Sequence, residues 1–141
     1  MAEAVGIAAS SVGLIGFAAQ VTKLMYGYYD EAKNAREDIK QLADEISSLA
    51  GLLEPLSTTA GASKILKTSD SDRISQLVHE FRKILEKLCA ELDKTRLRSI
   101  KTKLIWPFKK EDTQMRIQRI ERLKTTVTVK LQLCVTHAPC S

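Results

Sequence analysis

The sequence predicts an all-α fold, a four-helix-type bundle with an apolar, glycine-rich N-terminal helix and a short basic connector before the last helix. Three observations predict it. Glycine and proline number only 6 and 3 and aromatics make up 5%, too few turn-formers and strand-formers for a sheet protein of 141 residues. Three segments space their large apolar residues three and four apart, the repeat of one helix face. A fourth, at the N-terminus, runs nineteen positions without a charge. The length suits one domain with one core. That domain is expected over residues 1–135, with 136–141 as a disordered tail.

The first helix is the uncharged one. Residues 4–22 hold seven large apolar side chains, five alanines, three glycines (Gly6, Gly13, Gly16) and four polar residues. Nineteen positions approach the roughly 20 that a bilayer needs, but a secure spanning helix is richer in Leu, Ile, Phe and Val. A secretory signal fits poorly, because Glu3 stands where a positive n-region belongs. On a helix, Ile7, Leu14, Val21 and Tyr28 recur every seven residues, with Phe17, Leu24 and Met25 beside them. Ala2, Gly6 and Ser10 fall four apart, as do Ala9 and Gly13. A glycine inside a helix costs up to about 1 kcal/mol relative to alanine, so three in one helix need a reason. Two are open: close packing within the soluble bundle, or a helix that also leaves the bundle and packs in lipid, where small residues four apart let backbones approach.

The second helix is expected to start after Asp30 or near Asn34, either of which is a capping residue type. Ile39, Leu42, Ile46, Leu49, Leu53 and Leu56 form a bundle seam. Lys33, Glu37, Asp38, Lys40, Asp44 and Glu45 cover the opposite, solvated side. Pro55 weakens the last turn, so the helix should end between Leu56 and Thr58. Residues 57–71 read as a linker from which Ile65 and Leu66 pack back onto the bundle. The third helix is expected from a cap near Asp70 or Ser71 to about Leu97, with Ile74, Leu77, Val78, Phe81, Ile84, Leu85, Leu88 and Leu92 as its stripe.

Residues 96–103 form the basic connector, followed by Leu104-Ile105-Trp106-Pro107-Phe108. Pro107 disfavours helix at Trp106, which leaves Trp106 and Phe108 to plug the end of the bundle while the chain turns. The fourth helix should run from Lys110 or Glu111 to about Cys134 on a stripe of Ile117, Ile120, Leu123, Val127, Leu131 and Cys134. Residues 125–129 are β-branched and weaker helix formers, but the helical period carries through them.

The net charge of +5 is unevenly spread. Residues 94–124 hold eleven basic and three acidic side chains, a local excess of +8 that leaves −3 for the rest. Such a block suggests an anionic partner. Nucleic acid is the weakest candidate, since no recognition motif is present and aromatics are not interleaved with the charge. The three cysteines (Cys89, Cys134, Cys140) match no disulfide framework and suit a reducing compartment. Catalytic chemistry is not indicated. Gly13-Leu14-Ile15-Gly16 lacks the Lys-Ser/Thr of a phosphate loop, and His79 and His137 are far apart. Cys134, His137 and Cys140 supply three ligands where a structural zinc site wants four. No enzymatic activity, cofactor or metal is therefore expected.

The opening Met1-Ala2-Glu3-Ala4-Val5-Gly6-Ile7-Ala8-Ala9-Ser10 resembles the start of the HeLo-like domains at the N-termini of fungal NLR (STAND) proteins. Lys103-Leu104-Ile105-Trp106-Pro107-Phe108-Lys109-Lys110 resembles the turn of that group, and residues 117–125 resemble the helix after it. The resemblance runs in order from Met1 to about Leu133. It implies a helical bundle with a membrane-targeting N-terminal helix, acting in regulated fungal cell death by oligomerising and disrupting the plasma membrane. Its architecture is similar to the N-terminal bundle of necroptotic pseudokinases. Members usually continue into a nucleotide-binding domain or an amyloid motif, and neither lies within these residues. On this reading Val5, Gly6, Ile7, Val12, Gly13, Leu14, Ile15, Gly16, Phe17 and Val21 form the membrane-insertion helix. Arg96, Arg98, Lys101, Lys103, Lys109 and Lys110 contact anionic lipid. The implied partners are anionic membrane lipids, further copies of the chain on activation, and an NLR-type receptor, with the protein cytoplasmic until it relocates to the plasma membrane. A plain protein-interaction adaptor, with the first helix as ordinary core, is the competing expectation.

Overall fold

The computed structural model describes residues 2–31, 35–67, 71–98 and 105–137. Among these are five α-helices and no strand: α1 (Ala2–Glu31), α2 (Arg36–Leu52), α3 (Thr59–Leu66), α4 (Ser71–Arg98) and α5 (Lys110–His137), with a 3-10 turn at Glu54–Ser57. The all-α bundle expected from the sequence is the fold.

The four long helices set the frame. Asp38 accepts from Gln114 at 3.0 Å and Glu45 meets Lys124 at 3.1 Å, so α2 and α5 run in the same direction. Gly6, Ile7 and Ser10 face Asp72, His79 and Arg82, while Tyr28 donates its hydroxyl proton to the Leu92 carbonyl, so α1 and α4 run together as well. The two pairs oppose each other, an up-down-up-down arrangement. The core joins the stripes that periodicity marks. Ile7, Leu14, Val21 and Tyr28 are buried, as are Ile39, Leu42, Ile46, Leu49, Leu53 and Leu56. Seven of the eight expected α4 residues are buried and Leu77 is half-buried. Ile117, Ile120, Leu123 and Val127 complete the set.

Three boundaries differ from expectation. The second helix stops at Leu52, and Pro55 occupies the first turn of the following 3-10 element, where its missing N–H leaves no bond unmade. Leu56 nevertheless reaches the core. The expected linker contains α3, which Thr58 caps by accepting from the Gly61 N–H at 3.0 Å. Ala62 and Ile65 of α3 are buried and Leu66 is half-buried. The expected tail begins too early, because α5 continues to His137. The β-branched stretch of α5 holds its helix, with Thr125 and Thr126 bonding back to the Glu121 and Arg122 carbonyls at 3.0 Å. The proposed caps Asn34 and Asp70 lie outside the described residues. The N-cap position of α2 is instead held by Ala35, which adopts a left-handed φ of 62°.

At the end of the bundle where α1 and α4 finish and α5 starts, Trp106 is 3% exposed and packs edge-on to Tyr28 and Phe108, with centroids at 5.7 and 5.1 Å. Its indole N–H donates to Thr113 Oγ1 at 3.1 Å, and that hydroxyl donates in turn to the Lys109 carbonyl at 3.3 Å. Of the two residues expected to plug this end, Trp106 is buried and Phe108 half-buried. The buried polar partner of Trp106, Thr113, carries no sequence signal beyond standing one turn before Ile117.

Candidate functional site

Helix α1 has two unlike sides. Its inner side is core: Leu14, Val21, Met25 and Tyr28 are fully buried, with Ile7 beside them and Ile15 and Phe17 half-buried. Its outer side exposes Val5, Gly6, Ala9, Ser10, Val12, Gly13, Gly16, Ala19 and Gln20, and the first exposed charge along it is Lys23. Val5 and Val12 keep 54% and 56% of their surface in solvent. The segment Ala4–Asp30 has the length and apolar character to cross a membrane, a property that core helices share.

The glycines bear on the first of the two reasons offered for them, close packing within the bundle. A Cβ added at Gly6 or Gly16 meets nothing within 4 Å, and one at Gly13 meets only Arg82 Nη2 at 3.8 Å. Close packing inside the bundle therefore does not explain them. All three lie on the outer side, where alanine would suit the helix better. Gly61 of α3 is the contrast: a Cβ there would sit 1.9 Å from the Pro55 carbonyl oxygen.

The ten residues expected to insert thus divide. Val5, Gly6, Val12, Gly13 and Gly16 are exposed, Ile15 and Phe17 are half-buried, and Ile7, Leu14 and Val21 are core. The larger apolar side chains Ile7, Leu14 and Val21 are thus packed inside the bundle.

The basic block is also divided. Arg96, Lys109 and Lys110 are exposed at the Trp106 end of the bundle. The side chain of Arg98 and the whole of Lys101 and Lys103 lie outside the described residues. Lys124 is paired with Glu45. Arg116 lies over the Phe108 ring at 4.3 Å and donates to the Asp112 carbonyl at 3.3 Å. Burial lowers its pKa, against the opposing Asp112 charge. The Trp106 end and Gly6 are separated by roughly 30 Å along α1 at 1.5 Å per residue. The structure therefore does not bring Lys109 and Lys110 beside the N-terminal glycines.

Two surface hollows flank the outer side of α1. One, of about 420 Å³, opens against α4 over Gly6 and Ser10, with Asp72, Ser75, His79 and Arg82 as its wall. Arg82 reaches the Ser10 carbonyl at 3.4 Å. The other, of about 440 Å³, opens against α2 and has a floor of small residues, Ala18, Ala19, Ala50 and Gly51. His79 is exposed, as its place on α4 predicts, and Cys89 is half-buried with its thiol 3.5 Å from Asp93. Burial, aided by Asp93, pushes the Cys89 thiol pKa up, away from a reactive thiolate. No cluster of three metal-ligating side chains occurs among the described residues. Cys140 lies outside them.

Compared with known families, residues 2–138 match the one described as the N-terminal domain of pigment biosynthesis cluster protein PigL. No curated protein and no solved structure matches the chain.

Proposed function

The chain belongs to the PigL N-terminal family, and from that premise we propose that it is a HeLo-like, non-enzymatic signalling domain of fungal regulated cell death that self-associates and acts on anionic membranes through α1. One observation carries this reading: α1 presents four exposed glycines, Gly6, Gly13, Gly16 and Gly27, for which the monomer has no use. A helix keeps costly glycines on an open face when a second surface must come close to its backbone. The absence of charge from residue 4 to residue 22 makes that second surface apolar, either a copy of α1 or lipid. In the resting state the core holds the larger apolar residues back. On activation α1 leaves its place, presents Ile7, Leu14 and Val21 to the bilayer, and its glycines let copies pack. Exposed cations at the Trp106 end supply attraction to anionic headgroups.

Val12 gives the test, because it is exposed and its replacement leaves the core intact. Val12→Glu should fold as the parent does and lose dye release from phosphatidylserine vesicles. Equal release by both proteins would remove the membrane reading.

A second reading is favoured by a different observation. Leu14, Val21, Met25 and Tyr28 are fully buried, so α1 is a central strut of the bundle. An adaptor domain would keep α1 in place and use its outer side to seat a partner protein. It predicts no leakage with either protein and a fold that never opens.

A further inference from the structure

The two halves of α1 are held unequally. Up to Gly16, the large side chains in the core are Ile7 and Leu14, with Ile15 half-buried, and the other buried positions are Ala4, Ala8 and Ser11. From Phe17 onward the core takes Val21, Met25 and Tyr28, and Phe17, Leu24 and Tyr29 pack against it in part. Hydrogen bonding follows the same gradient. Tyr28 donates to the Leu92 carbonyl while its ring packs on Trp106. In the first half, Arg82 of α4 reaches the Ser10 carbonyl at 3.4 Å, near the limit of a hydrogen bond. Gly6, Gly13 and Gly16 all lie in that half, and each weakens the helix relative to alanine. Ser11 adds a further cost there. Its side chain is fully buried and its hydroxyl has no hydrogen-bond partner. Thr22, a buried hydroxyl of the second half, is bonded to the Ala18 carbonyl at 2.7 Å. Buried polar groups nearly always find a partner, so an exception calls for a reason.

We infer that α1 opens in two stages, its N-terminal half first, with the buried Ser11 hydroxyl biasing that half toward opening and the Tyr28 contacts to Leu92 and Trp106 holding the other end. An unpaired hydroxyl is penalised only while it stays buried, and the penalty ends when water reaches it. Ser11 therefore favours the opened half over the closed one. At position 11 of a helix that is never released, alanine would serve better on both burial and helix propensity. Segments that bury the fewest large apolar groups are the ones that open without global unfolding. The first stage gives up Ile7 and Leu14 and leaves Met25 and Tyr28 in the core, so the rest of the bundle stays closed. Gly13 and Gly16 stand at the junction of the two halves, where the chain must bend and where no side chain restricts its backbone. The use of this opening in signalling rests on the proposed release of α1, for which it is the first step.

The experiment is residue-resolved amide hydrogen exchange on the whole chain in the absence of lipid, for the parent, Ser11→Ala and Tyr28→Phe. Each substitution removes one hydroxyl and adds no bulk, so both variants should keep the parent's helical circular dichroism. In the parent, amides of residues 7–16 should exchange faster than those of residues 21–28 by roughly tenfold or more, after correction for intrinsic rates, the ratio that about 1.4 kcal/mol of local stability gives. Ser11→Ala should slow residues 7–16 by about fivefold. Tyr28→Phe should speed residues 21–28 by about the same factor and leave residues 7–16 unchanged within about twofold, because their opening does not break the Tyr28 bond. Equal protection of the two halves in the parent would overturn the inference. So would a Tyr28→Phe protein in which both halves speed up alike, since α1 would then open as one piece, or a Ser11→Ala protein in which residues 7–16 exchange as before. No vesicle enters this measurement, so its failure is distinct from failure of the membrane reading, which dye release by Val12→Glu tests.

Discussion

Tyr28 reaches across the bundle to donate its hydroxyl proton to the Leu92 carbonyl while its ring packs on Trp106. Burial is the main cause that raises its pKa, partly opposed by hydrogen bonding. The folded chain therefore holds this proton more tightly than the unfolded chain, in which the phenol titrates near 10.0. The native state then binds more protons than the unfolded one above that pH. The stabilisation is intact below about pH 10 and is lost as pH rises further. Tyr28→Phe should cost about 1 kcal/mol at neutral pH and should flatten the alkaline decline in urea-unfolding stability. Identical slopes for parent and variant above pH 10 would refute this assignment. Ser11 is the opposite kind of residue: it is fully buried and its hydroxyl has no hydrogen-bond partner. Ser11→Ala removes a desolvated polar atom and adds helix propensity, so it should stabilise by about 1 kcal/mol in the same assay. The heptad recurrence of Ile7, Leu14, Val21 and Tyr28 made the core side of α1 legible from sequence. The phenol's bond to Leu92, 64 residues away, was not.

The glycines separate helices that their sequences do not. Gly16 and Gly61 both lie within helices, but a Cβ at the first meets open space and at the second meets the Pro55 carbonyl. Gly16→Ala should raise stability by about 0.5–1 kcal/mol, visible as a higher melting temperature. Gly61→Ala should lower it by about 1–3 kcal/mol, because α3 must shift away from the 3-10 turn. Reversed signs would mean that α3 is not packed as described. Helix α3 was also the element least legible in advance. Its eight residues give a helical period little room to show itself, and the run Ser57-Thr58-Thr59-Ala60-Gly61-Ala62-Ser63 has the composition of a linker. What the composition concealed was a cap at Thr58 and a glycine fitted to the preceding carbonyl. The longer helices were legible because each repeats its apolar stripe for four turns or more.

At the scale of the whole molecule, what sequence could not supply was relative position. The eleven basic residues of the 94–124 block form one run along the chain. The fold sends Arg96, Lys109 and Lys110 to the Trp106 end, pairs Lys124 with Glu45, and gathers Arg119 and Arg122 with the distant Arg73. A one-dimensional count of charge therefore could not show how the fold divides the block. It likewise marked α1 as apolar without showing that its glycines all face outward. That outward face is the centre of the functional account, and one measurement addresses it most directly. Gly13→Leu/Gly16→Leu makes the exposed side more apolar and a better helix former, and the Cβ atoms it adds meet nothing closer than Arg82 Nη2 at 3.8 Å. Dye release from phosphatidylserine vesicles should fall at least tenfold in this variant although its melting temperature rises, because neighbouring α1 helices no longer approach. Release equal to or above that of the parent would contradict the account, since greater apolarity alone would then suffice and the glycines would have no part in assembly.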